Sequence, residues 1–174
     1  MSLETLAPRS RGFLFTNAHP AGCAAMVAQQ IQVARSALTG CSAGGTALVV
    51  GASTGYGLAS RIACAFGCGM KTVGVFFERP PAGKKTGSAG WYNSAAFHQA
   101  AEEAGLGCAS LNGDAFSNQL KSQTIARLAD SFGPADLLVY TADEWDCLAE
   151  GSPMAHAMHR EAHWVWDKEE GSSP

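Results

Sequence analysis

The fold of this chain is decided by the stretch Val49-Val50-Gly51-Ala52-Ser53-Thr54-Gly55-Tyr56-Gly57-Leu58-Ala59. An apolar strand ends here, and a glycine-rich turn leads into an alanine-rich helix. The backbone of such a turn can approach a pyrophosphate closely, because the N–H groups and the dipole of the following helix favour negative charge. The stretch therefore predicts a dinucleotide-binding turn, and the alternative is a plain loop of small residues.

The chain on both sides of this turn alternates between strand patterns and helix patterns. Strands are predicted for residues 46–50, 72–77, 108–111 and 135–140. Helices are predicted for residues 22–38, 57–66, 91–104 and 117–131. Such alternation is typical of a doubly wound parallel sheet with right-handed crossovers. We therefore expect an α/β, Rossmann-like domain over residues 11–142, truncated after about four strands, behind a loose tail at residues 1–10.

Carboxylates follow two of the predicted strands. Glu78 lies about 20 residues beyond the glycines, where an acidic residue usually accepts hydrogen bonds from the adenosine ribose and favours NADH over NADPH. Its neighbour Arg79 is able to accommodate a ribose phosphate, and a solvated strand end is the alternative for Glu78 itself. Asp114 is a candidate partner for the adenine amino group, or else the N-cap of the next helix.

Several strings of the chain together match one known family. The long ones are Gly90-Trp91-Tyr92-Asn93-Ser94-Ala95-Ala96-Phe97 and Leu111-Asn112-Gly113-Asp114-Ala115-Phe116, and the shorter ones are Arg11-Gly12-Phe13, His19-Pro20-Ala21-Gly22-Cys23, Ala65-Phe66-Gly67 and Gly74-Val75-Phe76-Phe77-Glu78. Over roughly residues 9 to 140 the chain resembles the N-terminal part of the single-chain trans-2-enoyl-CoA reductases and of the long-type NADH-dependent enoyl-[acyl-carrier-protein] reductases.

The resemblance implies a reaction, a cofactor and a set of contacts. Hydride would pass from NADH to the β-carbon of a 2-enoyl thioester of coenzyme A or acyl carrier protein, in fatty acid synthesis. A tyrosine–lysine pair would stabilise and protonate the enolate oxygen. The implied cofactor contacts are Gly51, Ala52, Ser53, Thr54, Gly55, Tyr56, Gly57, Phe77, Glu78, Asp114, Ala115, Ala142 and Asp143. The family has a small apolar residue beside the cofactor where this chain has the charged Asp143, so position 143 departs from the family pattern.

The catalytic pair of the family, spaced Tyr-x8-Lys, has no counterpart here. The chain contains only Tyr56, Tyr92 and Tyr140, and an alanine stands nine residues after each of them. We therefore expect no catalytic residue in this chain and interpret it as a truncated family member. The alternatives are a non-catalytic dinucleotide-binding module and a nonfunctional truncated gene product.

Residues 143–174 differ in character from the rest of the sequence. The β/α alternation stops at Asp143, and three of the four tryptophans lie beyond it. His156, His159 and His163 share one helical face at a spacing suited to a metal, but no H-E-x-x-H motif accompanies them. We expect a divergent tail without a metal site.

Composition excludes several functions. The net charge of −3 and the pI of about 5.9 provide no basic patch for nucleic acid or anionic membranes. No apolar run is long enough to span a bilayer, so we expect a cytoplasmic protein.

The six cysteines, at positions 23, 41, 64, 68, 108 and 147, show no disulfide-like framework and are expected to be reduced and mostly buried. Cys23 opens the first helix, where the helix dipole is able to lower its pKa, although packing is the preferred interpretation.

The last predicted strand has an apolar character that bears on association. In the 3-2-1-4 order it forms an edge of the sheet, lined by Leu137, Leu138 and Val139. We therefore expect a protein that is poorly soluble, dimeric through this edge, or dependent on the tryptophan-rich residues 143–174 to cover it.

Overall fold

The computed structural model describes residues 9–11, 14–15, 17–83 and 85–141. The elements in chain order are β1 (Ser10–Arg11), β2 (Leu14–Phe15), α1 (Pro20–Ala37), β3 (Thr46–Val50), α2 (Gly55–Ile62), β4 (Lys71–Phe76), α3 (Ala89–Glu103), β5 (Cys108–Asn112), α4 (Asn118–Arg127) and β6 (Leu137–Tyr140). A π-helical turn extends α2 through Ala63–Gly67, and another extends α4 through Leu128–Phe132. The predicted tail at residues 143–174 lies outside the described residues, as does most of the predicted tail at residues 1–10.

Strands β3 to β6 form one parallel sheet in the order β5-β4-β3-β6. Val49 in β3 is aligned with Gly74 in β4 and with Val139 in β6. β1 and β2 form a separate antiparallel pair. The predicted doubly wound α/β fold is therefore confirmed. The element boundaries differ from the prediction by a few residues, mainly because α1, α2 and α3 begin two residues earlier and β6 begins two residues later.

Helices α1, α2 and α3 pack into one apolar core. The side chains that form it include Val27, Ile31, Leu58, Ile62 and Phe97, all of which are buried. α1 begins at Pro20, where a fixed φ suits the first helical position, and the His19 Nδ1 atom accepts a hydrogen bond from the Gly22 N–H at 3.3 Å. Among the described residues, no helix combines the length and apolar character needed to cross a membrane.

A buried arginine lies between this core and the sheet. Arg61 of α2 is fully buried, and its guanidinium stacks on the Phe97 ring at 4.2 Å. Its Nη1 donates to Ser110 Oγ at 2.9 Å and its Nη2 to the Ala109 carbonyl at 2.6 Å. Burial lowers the pKa of Arg61 to about 10. The positive charge is thus held by neutral oxygen acceptors and an aromatic face, and nothing in the sequence pattern indicated it.

Ser110 connects this arginine to a histidine and a cysteine on the same side of the sheet. His98 Nε2 lies 2.7 Å from Ser110 Oγ, and His98 Nδ1 lies 3.3 Å from Cys108 Sγ. Burial, followed by the charge of Arg61, lowers the pKa of His98. His98 therefore resists protonation within the fold.

The expectation that the described cysteines are all reduced is wrong. Cys41 and Cys68 form a disulfide with a Cα–Cα distance of 4.8 Å. The pairing arises because the loop after α1 lies beside the turn before β4, where the Ala43 N–H donates to the Cys68 carbonyl at 3.1 Å. Cys23 remains free, and burial raises its pKa, so the suggested lowering by the helix dipole is also wrong.

Candidate functional site

The glycine turn joins β3 to α2 at the carboxyl end of the sheet. Gly51 has φ +86° and Gly55 has φ +50°, conformations that favour glycine. The N–H groups of Gly51 and Ala52 both donate to the Val75 carbonyl, at 2.8 and 3.1 Å. A Cβ at Gly57 would collide with the Gly51 carbonyl oxygen and the Thr141 hydroxyl. The turn is thus tied to β4 on one side and in direct contact with α2 on the other.

The N-terminus of α2 has no side-chain cap. Thr54 occupies the N-cap position with extended backbone, and its side chain makes no capping hydrogen bond. The first-turn N–H groups of a helix need acceptors from outside the helix, and an anion supplies them well. This end of α2 therefore fits the phosphates of a dinucleotide.

Two aromatic side chains lie exposed beside this end of the sheet. Tyr56, within the turn, is 86% exposed, and Phe77, directly after β4, is 80% exposed. Single exposed apolar residues are common on protein surfaces, so the exposure of these two rings assigns no contact by itself. Both rings are accessible to a ligand at this end of the sheet.

Glu78 is held in place by the turn and by β5. Its Oε1 accepts a hydrogen bond from Ser53 Oγ at 2.6 Å. Its backbone N–H donates to Asn112 Oδ1 at 2.7 Å, and its carbonyl accepts from Asn112 Nδ2 at 2.8 Å. Glu78 is therefore fixed at three points, and its predicted contact with the adenosine ribose stays a prediction.

Asp114 lies in the turn between β5 and α4. Its Oδ1 accepts from the Phe116 N–H at 2.9 Å, and Ser117 caps α4 by accepting from the Leu120 N–H at 3.2 Å. The alternative that Asp114 caps α4 is therefore wrong. Ala115 lies beside it in the same turn.

The structure thus brings most of the predicted contacts to the carboxyl ends of three neighbouring strands. Ser53, Glu78 and Asn112 connect them through hydrogen bonds. Ala142 and Asp143 lie outside the described residues. So do His156, His159 and His163, and the part of the chain that is described holds no cluster of metal-binding side chains.

Besides Asn112, sequence reasoning assigned no role to two further residues of this site. The Asn93 Nδ2 atom donates to the Ser53 carbonyl at 3.1 Å, and Thr141 Oγ1 donates to the Val50 carbonyl at 3.2 Å. Asn93 lies in a string that the family resemblance had already singled out, so that string was an available signal for it. Thr141 immediately follows β6, and its residue type alone carries no such signal.

Two family models match consecutive parts of the chain. The NAD(P)H binding domain of trans-2-enoyl-CoA reductase matches residues 5–83, and the trans-2-enoyl-CoA reductase catalytic region matches residues 85–144.

Named relatives and a solved structure agree with these matches. The chain is 53% identical over 134 residues to an enoyl-[acyl-carrier-protein] reductase [NADH] of Colwellia psychrerythraea, covering 77% of this chain and 34% of the relative. It is 51% identical over 136 residues to a trans-2-enoyl-CoA reductase [NADH] of Ruminiclostridium cellulolyticum, again covering 77% and 34%. The structure of a Treponema denticola trans-2-enoyl-CoA reductase in complex with NAD matches with a TM-score of 0.74 and 41% identity, covering 78% of this chain and 35% of that one. The chain thus spans about a third of the length of these relatives.

Proposed function

Because this chain belongs to the trans-2-enoyl-CoA reductase family, we propose that residues 11–142 form a domain that binds NADH. The observation that carries the proposal is the uncapped N-terminus of α2, which directly continues the glycine turn. In the full-length relatives, bound NADH would supply the hydride that reduces the C2=C3 bond of an enoyl thioester. The substrate class is an enoyl-CoA or enoyl-acyl-carrier-protein, as the names of the relatives suggest.

The pyrophosphate and the adenosine half of the cofactor have counterparts among the residues of the chain. The turn from Gly51 to Gly57 and the first N–H groups of α2 hold the pyrophosphate. Glu78 accepts hydrogen bonds from the adenosine ribose, while the rings of Tyr56 and Phe77 flank the nucleotide. Asp114 and Ala115 contact the adenine.

The contacts at Ala142 and Asp143 rest on the family resemblance alone. We assign the domain to the cytoplasm and to fatty acid synthesis. The chain has no lysine at the family spacing from any tyrosine, so we propose binding without enoyl-dependent turnover.

The proposal is tested by titrating the purified chain with NADH and following nicotinamide fluorescence. Gly57→Ala should weaken binding at least tenfold, about 1.4 kcal/mol, because the added Cβ displaces the end of α2 from the turn. Gly107→Ala is the control, since its Cβ would meet only the flexible Lys71 side chain.

The same samples, mixed with crotonyl-CoA, report NADH consumption. A folded chain that binds no NADH refutes the proposal. Turnover would show that this chain contains a proton donor and that binding without turnover is the wrong description.

We also propose that the chain self-associates through β6. Leu138 on this strand is 62% exposed, and β6 is an edge of the sheet among the described strands. Leu138→Arg should then reduce the mass measured by light scattering after gel filtration. Ile125→Arg is the control, because Ile125 is 67% exposed and lies on α4 instead of β6. A monomeric wild-type chain would end this proposal.

A further inference from the structure

Asn112 extends the parallel sheet by means of its side chain. β5 ends at this residue, and its backbone is aligned with Phe76 at the end of β4. The Asn112 carboxamide then pairs with Glu78, two residues further along, by accepting from its N–H at 2.7 Å and donating to its carbonyl at 2.8 Å. A side-chain amide thereby replaces a strand partner and fixes the backbone of Glu78.

Gly90 provides the space that the Glu78 carboxylate occupies. A Cβ at Gly90 would fall on the Glu78 carboxylate and would lie 2.8 Å from the Ser53 Cβ. Gly90 is the second residue of α3, so the carboxylate lies at the N-terminal end of that helix, where the helix dipole favours a negative charge. Any side chain at position 90 would push the carboxylate out of this place.

Ser53 fixes the orientation of the carboxylate. Its hydroxyl donates to Oε1 at 2.6 Å, and the Ser53 side chain is buried. The Ser53 carbonyl in turn accepts from Asn93 of α3. One carboxylate oxygen is thus engaged by Ser53, while the second accepts no hydrogen bond from the residues that the structure describes.

We propose that Gly90 and Asn112 are positioning residues that set the selectivity of the site for an adenosine ribose with a free 2′-hydroxyl over one with a 2′-phosphate. The inference rests on the proposed NADH-binding function. A carboxylate on a mobile loop is able to turn away from a phosphate, and the guanidinium of Arg79 would then take its place. Here Asn112 and Ser53 hold Glu78 in place and Gly90 leaves room for its carboxylate. The carboxylate therefore stays beside the ribose, and its charge repels a 2′-phosphate.

The test uses isothermal titration of the full chain with ADP-ribose and with 2′-phospho-ADP-ribose. For the wild type, ADP-ribose should bind more tightly than its phosphorylated counterpart. The ratio to follow is the dissociation constant of 2′-phospho-ADP-ribose divided by that of ADP-ribose. In Gly90→Ala this ratio should fall at least fivefold, because the carboxylate is displaced. Asn112→Ala should lower the ratio in the same direction and keeps the test valid if Gly90→Ala fails to fold, since Asn112 is exposed.

Gly22→Ala is the matched control, because it adds a Cβ to the first turn of α1 with only ordinary contact to His19 at 3.7 Å. Its ratio should equal that of the wild type. If the variants lose affinity for both probes equally and the ratio is unchanged, the positioning role is overturned while NADH binding stands. If the folded wild type binds neither probe, the proposed function itself fails.

Discussion

Gly74→Ala is the substitution that should most clearly expose the packing beneath the sheet. Gly74 lies in the middle of β4, and a Cβ there would lie 2.6 Å from Arg61 Cζ and 3.0 Å from the Ala52 Cβ. Arg61 has no room to retreat because it is fully buried against Phe97. The guanidinium must therefore leave its acceptors when the methyl group arrives.

The magnitude follows from the bonds that would be lost. Arg61 donates to Ser110 and to the Ala109 carbonyl, and each such bond to a charged group contributes about 1.5–3 kcal/mol. Replacing a strand glycine by alanine recovers about 0.5–1 kcal/mol of backbone entropy. The net loss in the free energy of unfolding is expected to be about 3 kcal/mol.

Arg61→Met should behave differently, because it removes the charge together with its bonds. Burial lowers the pKa of Arg61 to about 10, and this lowering corresponds to about 3 kcal/mol of unfavourable charging. Loss of the hydrogen bonds and relief of this charge nearly offset each other, so the expected loss is about 1 kcal/mol. When Gly74→Ala is added to the Arg61→Met variant, it should be almost neutral.

Urea unfolding followed by circular dichroism measures all four members of this double-mutant cycle. The coupling free energy should be about 2–3 kcal/mol, with the double variant more stable than Gly74→Ala alone. Additive effects within about 0.5 kcal/mol would refute the reasoning, since they would mean that Arg61 and the new methyl group do not compete for the same space.

Two further predictions concern titration and the disulfide. The folded-state pKa of His98 lies below 6.5, so the unfolded state binds more protons than the folded state in this pH range. The free energy of unfolding should therefore fall as the pH drops below 6.5, until the folded-state pKa is reached. In urea melts, His98→Gln should remove this part of the pH dependence. Reduction of Cys41–Cys68, which are separated by 27 residues, should lower the free energy of unfolding by about 3.5 kcal/mol on loop entropy. The double variant Cys41→Ser/Cys68→Ser should lose the same amount and show no further response to a reductant in thermal melts, and an unchanged melting temperature would contradict this.

Local patterns were sufficient to predict the order of the elements. The apolar run at residues 46–50 and the glycine turn after it predicted β3 and α2 because a buried parallel strand needs continuous apolar residues. Glu78 was found for the same kind of reason, since its distance from the glycines places it at the end of the next strand. These features depend on short stretches of chain, and short stretches are what a sequence pattern records.

Contacts between distant residues were not predictable in this way. The Cys41–Cys68 disulfide depends on how two loops meet, and neither cysteine lies in a spacing that indicates a partner. The burial of Arg61 was not predictable either, because an arginine on an alanine-rich helix is normally exposed. Asn112 lay within a recognised string, but its pairing with Glu78 appears only when β4 and β5 are aligned.

Three glycines of this domain have one physical role, and it is not backbone flexibility. None of Gly57, Gly74 and Gly90 has a positive φ, so an alanine would adopt the same backbone at each of them. At each position, however, the missing side chain makes room for a polar group: the Gly51 carbonyl, the Arg61 guanidinium and the Glu78 carboxylate. Substitution is therefore harmful through space alone, and it should be rescued by shortening the opposing group only where that group is a side chain. Such rescue is available at Gly74, where the opposing group is the Arg61 side chain, and is impossible at Gly57, where that group is backbone.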